Sequence, residues 1–373
     1  MIYKAFKDTK LSMLGLGCMR LPGGGRFTGE IDMDATAEMV DYAIKNGINY
    51  FDTAWGYHEK KSEIAMGEIL KNYPRESFYI ATKFPGFNVE IMEKKEEIFE
   101  EQLKKLQMDY VDFYLFHCLS DASVEWYLDP KYGLMDYMLE QKEKGRIKHI
   151  GVSVHASLDT LTRFLDAYGE NIEFCQLQLN WMDWDYQDAK AKVALLNERN
   201  IPIWVMEPVR GGKLVNLHEN QKSLLKELRP EWETPEWSFR YLQSIPGVSV
   251  VLSGMSNMQQ LQENIKTFET EIQLNETETK ALYQIAHELL NTVPCTACRY
   301  CTPDCPQEID IPEMIKLYND QIFARGKIPA DKLKDIPENN QPAACIGCRA
   351  CEALCPQEIK ISEVMADFKD KTE

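Results

Sequence analysis

Between residues 14 and 268 a short apolar run gives way to a longer amphipathic one, and the pair recurs about eight times. The apolar runs are residues 14–17, 50–52, 78–82, 111–116, 147–153, 174–179, 202–206 and 248–252, lengths that suit buried strands. The stretches between them carry a helical period. The first opens at Asp34 and stops at Asn46-Gly47, and residues 62–70, 92–106, 135–144, 157–167, 187–200, 235–243 and 258–268 follow. Eight strand–helix units in roughly 260 residues have the size and rhythm of a (β/α)8 barrel. The rival doubly wound sheet carries Gly-x-Gly-x-x-Gly after its first strand. Here Gly15-Leu16-Gly17 runs into Cys18-Met19-Arg20, and Gly23-Gly24-Gly25 reads as a loop. Residues 1–6 and 11–13 predict a hairpin ahead of the barrel, and residues 276–290 a last helix behind it.

The chain has 373 residues, enough for one large core and a small second domain. Its formal charge of −17, with no cluster of Lys and Arg, argues against a nucleic-acid partner. No apolar run reaches membrane-spanning length and residues 1–10 lack an apolar signal core, so a cytoplasmic protein with no membrane partner is expected. Of eleven cysteines, Cys18, Cys118 and Cys175 are scattered and read as small buried apolar residues; the other eight fall between Cys295 and Cys355. That shift predicts a boundary near Asn291, with a barrel over residues 1–290 and a second domain over 291–373.

In parallel α/β folds chemistry is placed just past the carboxyl ends of strands. Asp52 closes the second run and Tyr57 follows five positions on; Lys83 follows the third run and His117 the fourth. Reducing a carbonyl by hydride requires an acid for the developing alkoxide. A tyrosine with its ordinary pKa of about 10 is a sluggish donor at neutral pH, and a nearby ammonium lowers that value. A carboxylate keeps such a lysine charged and in place, and a histidine orients the substrate oxygen. Taken singly, Lys83 is equally a solvated lysine, His117 a core histidine and Tyr57 a pocket wall. In order at successive strand ends they make a proton-delivery site.

This constellation resembles the aldo-keto reductases, in Asp52-Thr53-Ala54 with Tyr57 and Glu63, in Ala81-Thr82-Lys83 and in Leu115-Phe116-His117. The resemblance covers about residues 1–290. It implies a (β/α)8 barrel using NADP or NAD, with Tyr57 as general acid/base, Lys83 tuning it, Asp52 holding Lys83 and His117 placing the oxygen. It implies that Ser153 and Gln176 hold the carboxamide and that Met206 packs on the nicotinamide where many members carry tyrosine. Pro208, Arg210, Gly211, Gly212 and Lys213 match the loop that covers the pyrophosphate. Gly254, Ser256, Gln260 and Asn264 match the motif at the adenosine end. Gln260 stands where NADPH-preferring members carry arginine, which leaves the choice between NADP and NAD open. Trp55, Tyr127, Trp181 and Trp184 are candidate pocket aromatics.

Cys295-x2-Cys298-x2-Cys301-x3-Cys305-Pro306 recurs fifty residues later as Cys345-x2-Cys348-x2-Cys351-x3-Cys355-Pro356. The repeat continues through Gln307-Glu308-Ile309 and Gln357-Glu358-Ile359 into a helix each time. It resembles two-cluster ferredoxins of a mainly α-helical kind. Three cysteines on a tight loop cap three irons of a cube, and the resemblance implies that the fourth comes from the other repeat. Cys295, Cys298, Cys301 and Cys355 would then hold one [4Fe-4S] cluster, and Cys345, Cys348, Cys351 and Cys305 the other. Zinc or disulfides are weaker readings of the same residues.

The expected function is hydride transfer between NAD(P)(H) and a small carbonyl or alcohol substrate, with two clusters in a C-terminal ferredoxin-like domain. The alternative is an electron-transfer protein linking NAD(P)H to a redox protein partner through the clusters. It meets an obstacle: hydride carries two electrons, each cubane passes one, and no flavin motif is visible.

Overall fold

The computed structural model describes residues 1–23, 30–290, 292–323, 333 and 336–372; Gly24, Gly25 and Asn291 lie outside them. Packing divides the chain into two compact units. The first comprises Met1–Pro208 and Leu225–Thr279, the second Val209–Leu224 and Lys280–Glu373. Sequence reasoning drew a single cut near residue 291 and left the segment 209–224 with the barrel.

In the first unit a hairpin, β1 (Tyr3–Phe6) and β2 (Thr9–Ser12), precedes eight parallel strands. These are β3 (Leu14–Gly17), β4 (Tyr50–Asp52), β5 (Tyr79–Phe84), β6 (Val111–Leu119), β7 (Ile147–Val154), β8 (Phe174–Gln178), β9 (Ile203–Met206) and β10 (Val248–Ser253). They run in chain order and close where β10 pairs with β3, the (β/α)8 barrel that the alternation predicts. A parallel strand covered on both faces must be apolar on both, and residues 111–116 are all buried.

The end of the barrel opposite the strand carboxyl termini is filled with aromatic rings. Phe6, from the hairpin, meets Trp204 at 5.0 Å and Phe113 at 5.7 Å between centroids, and Tyr50 meets Phe113 at 5.1 Å. Lys7, in the hairpin turn, pairs with Glu173 at 2.6 Å, and Glu173 also takes Lys142, His149 and the Ile150 N–H. Burial alone would push the Glu173 carboxyl up; these partners outweigh it and hold it far below the usual carboxylate range.

Several helix limits differ from the sequence reading. The first helix is Met33–Lys45, and its cap is Asp32, whose side chain accepts the Ala35 N–H; Asp34 lies inside the first turn. The single helix expected over 92–106 is two, Val89–Met92 capped by Asn88 and Lys95–Leu106. The helix expected over 187–200 is Ala189–Glu198, preceded by Asp188 at φ 50° and by an unanticipated turn of helix, Asp183–Tyr186. Val124–Leu128 and Glu219–Leu228 were not anticipated, the first being a single turn and the second carrying its leucines only in its latter half.

In the second unit, helices Ile311–Phe323 and Ile361–Thr372 pack through Ile311, Met314, Ile315, Ile361, Met365 and Phe368. The repeat reproduces its backbone as well as its residues. Ala297 and Gly347, Arg299 and Arg349, and Glu308 and Glu358 all have positive φ, each pair fifty residues apart. Five of these six are not glycine, a cost that persists where a loop is over-determined by what it surrounds.

Candidate active site and cysteine-lined cavities

Asp52 is the last residue of β4, and Lys83 lies near the end of the neighbouring strand β5. Both side chains are buried, and the Lys83 Nζ donates to Asp52 Oδ1 at 2.6 Å and to the Thr53 carbonyl at 2.8 Å. Burial pushes the Asp52 carboxyl up, against the pull of the Lys83 ammonium. The same Nζ stands 5.0 Å from the centre of the half-buried Tyr57 ring. His117, on β6, lies edge-on to that ring at 6.1 Å between centroids. The structure thus gathers all four residues: a dry lysine–carboxylate pair beneath a phenol, with an imidazole beside it.

His117 is buried and its Nδ1 has no hydrogen-bond partner. Burial, reinforced by Lys83 and His155, holds the imidazole well below the ordinary histidine range. The ring is therefore neutral at pH 7, a form with one N–H to donate. Its backbone is fixed by Tyr127, whose hydroxyl donates to the His117 carbonyl at 2.5 Å. Tyr127 and Trp181 are only 1% exposed, which makes them supports rather than pocket walls; Trp55 and Trp184 are half-buried.

A second buried network backs Lys83. Glu63 Oε1 accepts from Thr82 Oγ1 at 2.6 Å and from Gln102 Nε2 at 2.8 Å. Gln102 also donates to the Lys83 carbonyl at 2.9 Å and accepts from Tyr114 at 2.7 Å. Gln102 and Tyr114 escaped the sequence reading. The signal was faint: Gln102 is an uncharged polar residue on the apolar stripe of a helix otherwise rich in Glu and Lys.

Of the residues matched to a nicotinamide site, Ser153 and Gln176 are register partners on β7 and β8. Ser153 Oγ accepts the Cys118 N–H at 2.8 Å, and Gln176 is 2% exposed with its Oε1 unpartnered. A buried amide oxygen without a donor fits a ligand carboxamide. Met206, the half-buried last residue of β9, lies 3.9 Å from the Gln176 amide nitrogen through its sulfur, and Pro208 is buried. Past β10, Gly254 and Ser256 are exposed, and Gln260 turns its Oε1 back onto the Ser256 N–H at 2.8 Å. Asn264 points inward to Ser253 Oγ at 3.1 Å and is 7% exposed.

Arg210, Gly211, Gly212 and Lys213 belong to the second unit. Arg210 is wholly buried; its guanidinium donates to the Pro294 carbonyl and to Gln357 Oε1, each at 2.6 Å. Lys213 Nζ donates to Thr292 Oγ1 at 2.8 Å and to the Val293 carbonyl at 3.3 Å. Gly211 has φ +65°, and a Cβ there would stand 2.0 Å from the Thr296 carbonyl oxygen. The cations matched to a pyrophosphate therefore engage the run that leads into the first cysteine loop.

The cysteines enclose two cavities. The smaller is lined by Cys295, Cys298, Cys301 and Cys355, the larger by Cys305, Cys345, Cys348 and Cys351. Each takes three cysteines from one repeat and the fourth from the other. Among the described residues no three His, Cys, Asp or Glu side chains converge tightly enough for a single ion. Four cysteines around each cavity are the donor set that fits a cluster. Thr296 lines the smaller cavity, is 2% exposed and has an unpartnered Oγ1. Of the scattered cysteines, Cys18 and Cys175 are buried as expected, whereas Cys118 is half-buried; burial pushes its thiol up to about 11.

Comparison with known proteins finds two family matches along the chain. Residues 13–287 match the family model described as "Aldo/keto reductase family", and residues 294–359 the one described as "4Fe-4S dicluster domain". The chain is 24% identical to the NADH-specific methylglyoxal reductase of Escherichia coli, over 76% of this chain and 97% of that one. It is 26% identical to the uncharacterized oxidoreductase YqkF of Bacillus subtilis, over 74% and 92%. It is 31% identical to probable aldo-keto reductase 1 of Glycine max, over 54% of this chain but only 57% of that protein's length. The thermostable aldo-keto reductase Tm1743 superimposes with a TM-score of 0.63 at 26% identity, covering 76% of this chain and all of that one. No helix among the described residues is long and apolar enough to cross a membrane. With the barrel, the four converging residues and the family match in agreement, the chain belongs to the aldo/keto reductase family and is an oxidoreductase that carries an iron–sulfur domain.

Proposed function

We propose that the protein interconverts a small carbonyl compound and its alcohol by hydride transfer with NAD(P)(H), and that its second unit holds two [4Fe-4S] clusters. The observation that carries the reading is the buried Lys83–Asp52 pair with the Tyr57 ring 5.0 Å from the Nζ. A bound nicotinamide supplies or takes the hydride. The chain's own part is proton delivery. The Tyr57 hydroxyl gives its proton to the developing alkoxide, and the Lys83 ammonium stabilises the phenolate left behind. Asp52 fixes that ammonium, and the neutral His117 ring donates to the substrate oxygen and sets its direction. Ser153, Gln176 and Met206 hold the nicotinamide end, and Gly254 and Ser256 receive the other end of the cofactor. In each cavity four thiolates bind one cluster.

The test is cofactor oxidation by the anaerobically purified chain with a panel of aldehydes and ketones. Tyr57→Phe is expected to lower kcat by about 10²–10⁴ with cofactor binding retained; unchanged turnover would refute the assignment. A second reading, electron transfer between NAD(P)H and a redox protein, is favoured by the exposure of Cys348 at the wall of the larger cavity. Bleaching of the cluster absorbance by NAD(P)H alone, without carbonyl substrate, would support it over the first.

A further inference from the structure

The fifty-residue repeat makes the two cysteine cavities comparable position by position, and their surroundings differ. Thr296, in the wall of the smaller cavity, is buried with an unpartnered hydroxyl. Its counterpart in the wall of the larger cavity is Ile346, which is apolar and 64% exposed. Arg210 and Lys213 clasp residues 292–294 immediately before Cys295, and Arg210 also holds Gln357, two positions past Cys355. Gly211 lets the backbone between them close on Thr296. Both cations are thereby fixed on the residues that abut Cys295.

We propose that Arg210, Lys213 and Thr296 hold up the reduction potential of the cluster bound by Cys295, Cys298, Cys301 and Cys355, making it inequivalent to its neighbour. The inference rests on the two-cluster reading above. Reduction adds one electron to a cluster already carrying four thiolates. Burial opposes that added charge, whereas fixed cations and O–H donors to sulfur favour it. A partnerless buried hydroxyl is costly, and a cluster sulfur supplies the acceptor it lacks. No bond is made or broken in this role; the three residues position and stabilise.

The test is an EPR-monitored redox titration of the full-length protein, after iron and sulfide are counted in the wild type. Lys213→Gln is expected to lower the reduced-to-oxidised ratio of one component about tenfold at fixed ambient potential, a shift of ~59 mV. Arg210→Gln and Thr296→Val should move the same component downward, Lys213→Arg should restore it, and the other component should stay in place. An unmoved midpoint with iron retained, or an equal shift of both components, would overturn the proposal. Should Arg210→Gln lose iron, Lys213→Gln and Thr296→Val decide the matter. Iron absent from the wild type would instead refute the two-cluster reading before any variant is titrated.

Discussion

At the scale of single residues, the ion pair under Tyr57 makes the sharpest claim. Lys83→Met leaves the Asp52 carboxylate buried without its cation, and Asp52 Oδ2 has no hydrogen-bond partner to fall back on. The variant is expected to lose about 3–5 kcal/mol of barrel stability in denaturant titration. The double variant Asp52→Asn/Lys83→Met should recover much of it while remaining inactive. Glu173 gives a pH prediction. Its folded pKa lies below the value of about 4.3 in an unfolded chain, so its stabilisation is complete above that pH and fades as the pH falls toward the folded value. Thermal unfolding followed from pH 6 down to pH 3 should show a steep loss in the wild type and a shallower one in Glu173→Gln. At neutral pH that variant should be weaker by about 2 kcal/mol. The four site residues were legible because each lies at or just past the carboxyl end of a strand, where the fold exposes side chains by rule. Gln102 was not, because a polar residue on a helix reads as solvated until burial shows its partners.

At the scale of elements, the strands were legible nearly to the residue because apolar runs of that length have few other fates. Helix ends were not, since a cap such as Asp32 or a left-handed residue such as Asp188 is decided by one side chain or one dihedral. The segment after β9 is the clearest case. Its cations announced an anion, yet the groups they hold lie 79–147 positions further along the chain, a distance no local pattern encodes. Gly211 is the feature of that segment most sensitive to change. Gly211→Ala places a methyl against the Thr296 carbonyl from an already strained φ, and iron analysis of the purified variant should show loss from one cluster site.

At the scale of the whole molecule, the two units are expected to depend on different forces. The barrel has a large apolar core, whereas the second unit is small and has a short list of buried side chains among its described residues, a size that commonly needs a metal staple. Removing iron anaerobically with a chelator should unfold the second unit and spare the barrel. Calorimetry would register the loss of one transition, and limited proteolysis should open new cuts within residues 209–224 as well as beyond 280.

The way packing assigns residues 209–224 also sets a timetable for biosynthesis. This segment leaves the ribosome roughly 130 residues before Cys355 does, on the order of ten seconds at ordinary elongation rates. Lys213 waits for Thr292, 79 positions further on, and Arg210 waits through the whole interval for Gln357, 147 positions further on. Cluster insertion then becomes the step that completes, within the second unit, a clasp begun midway through translation.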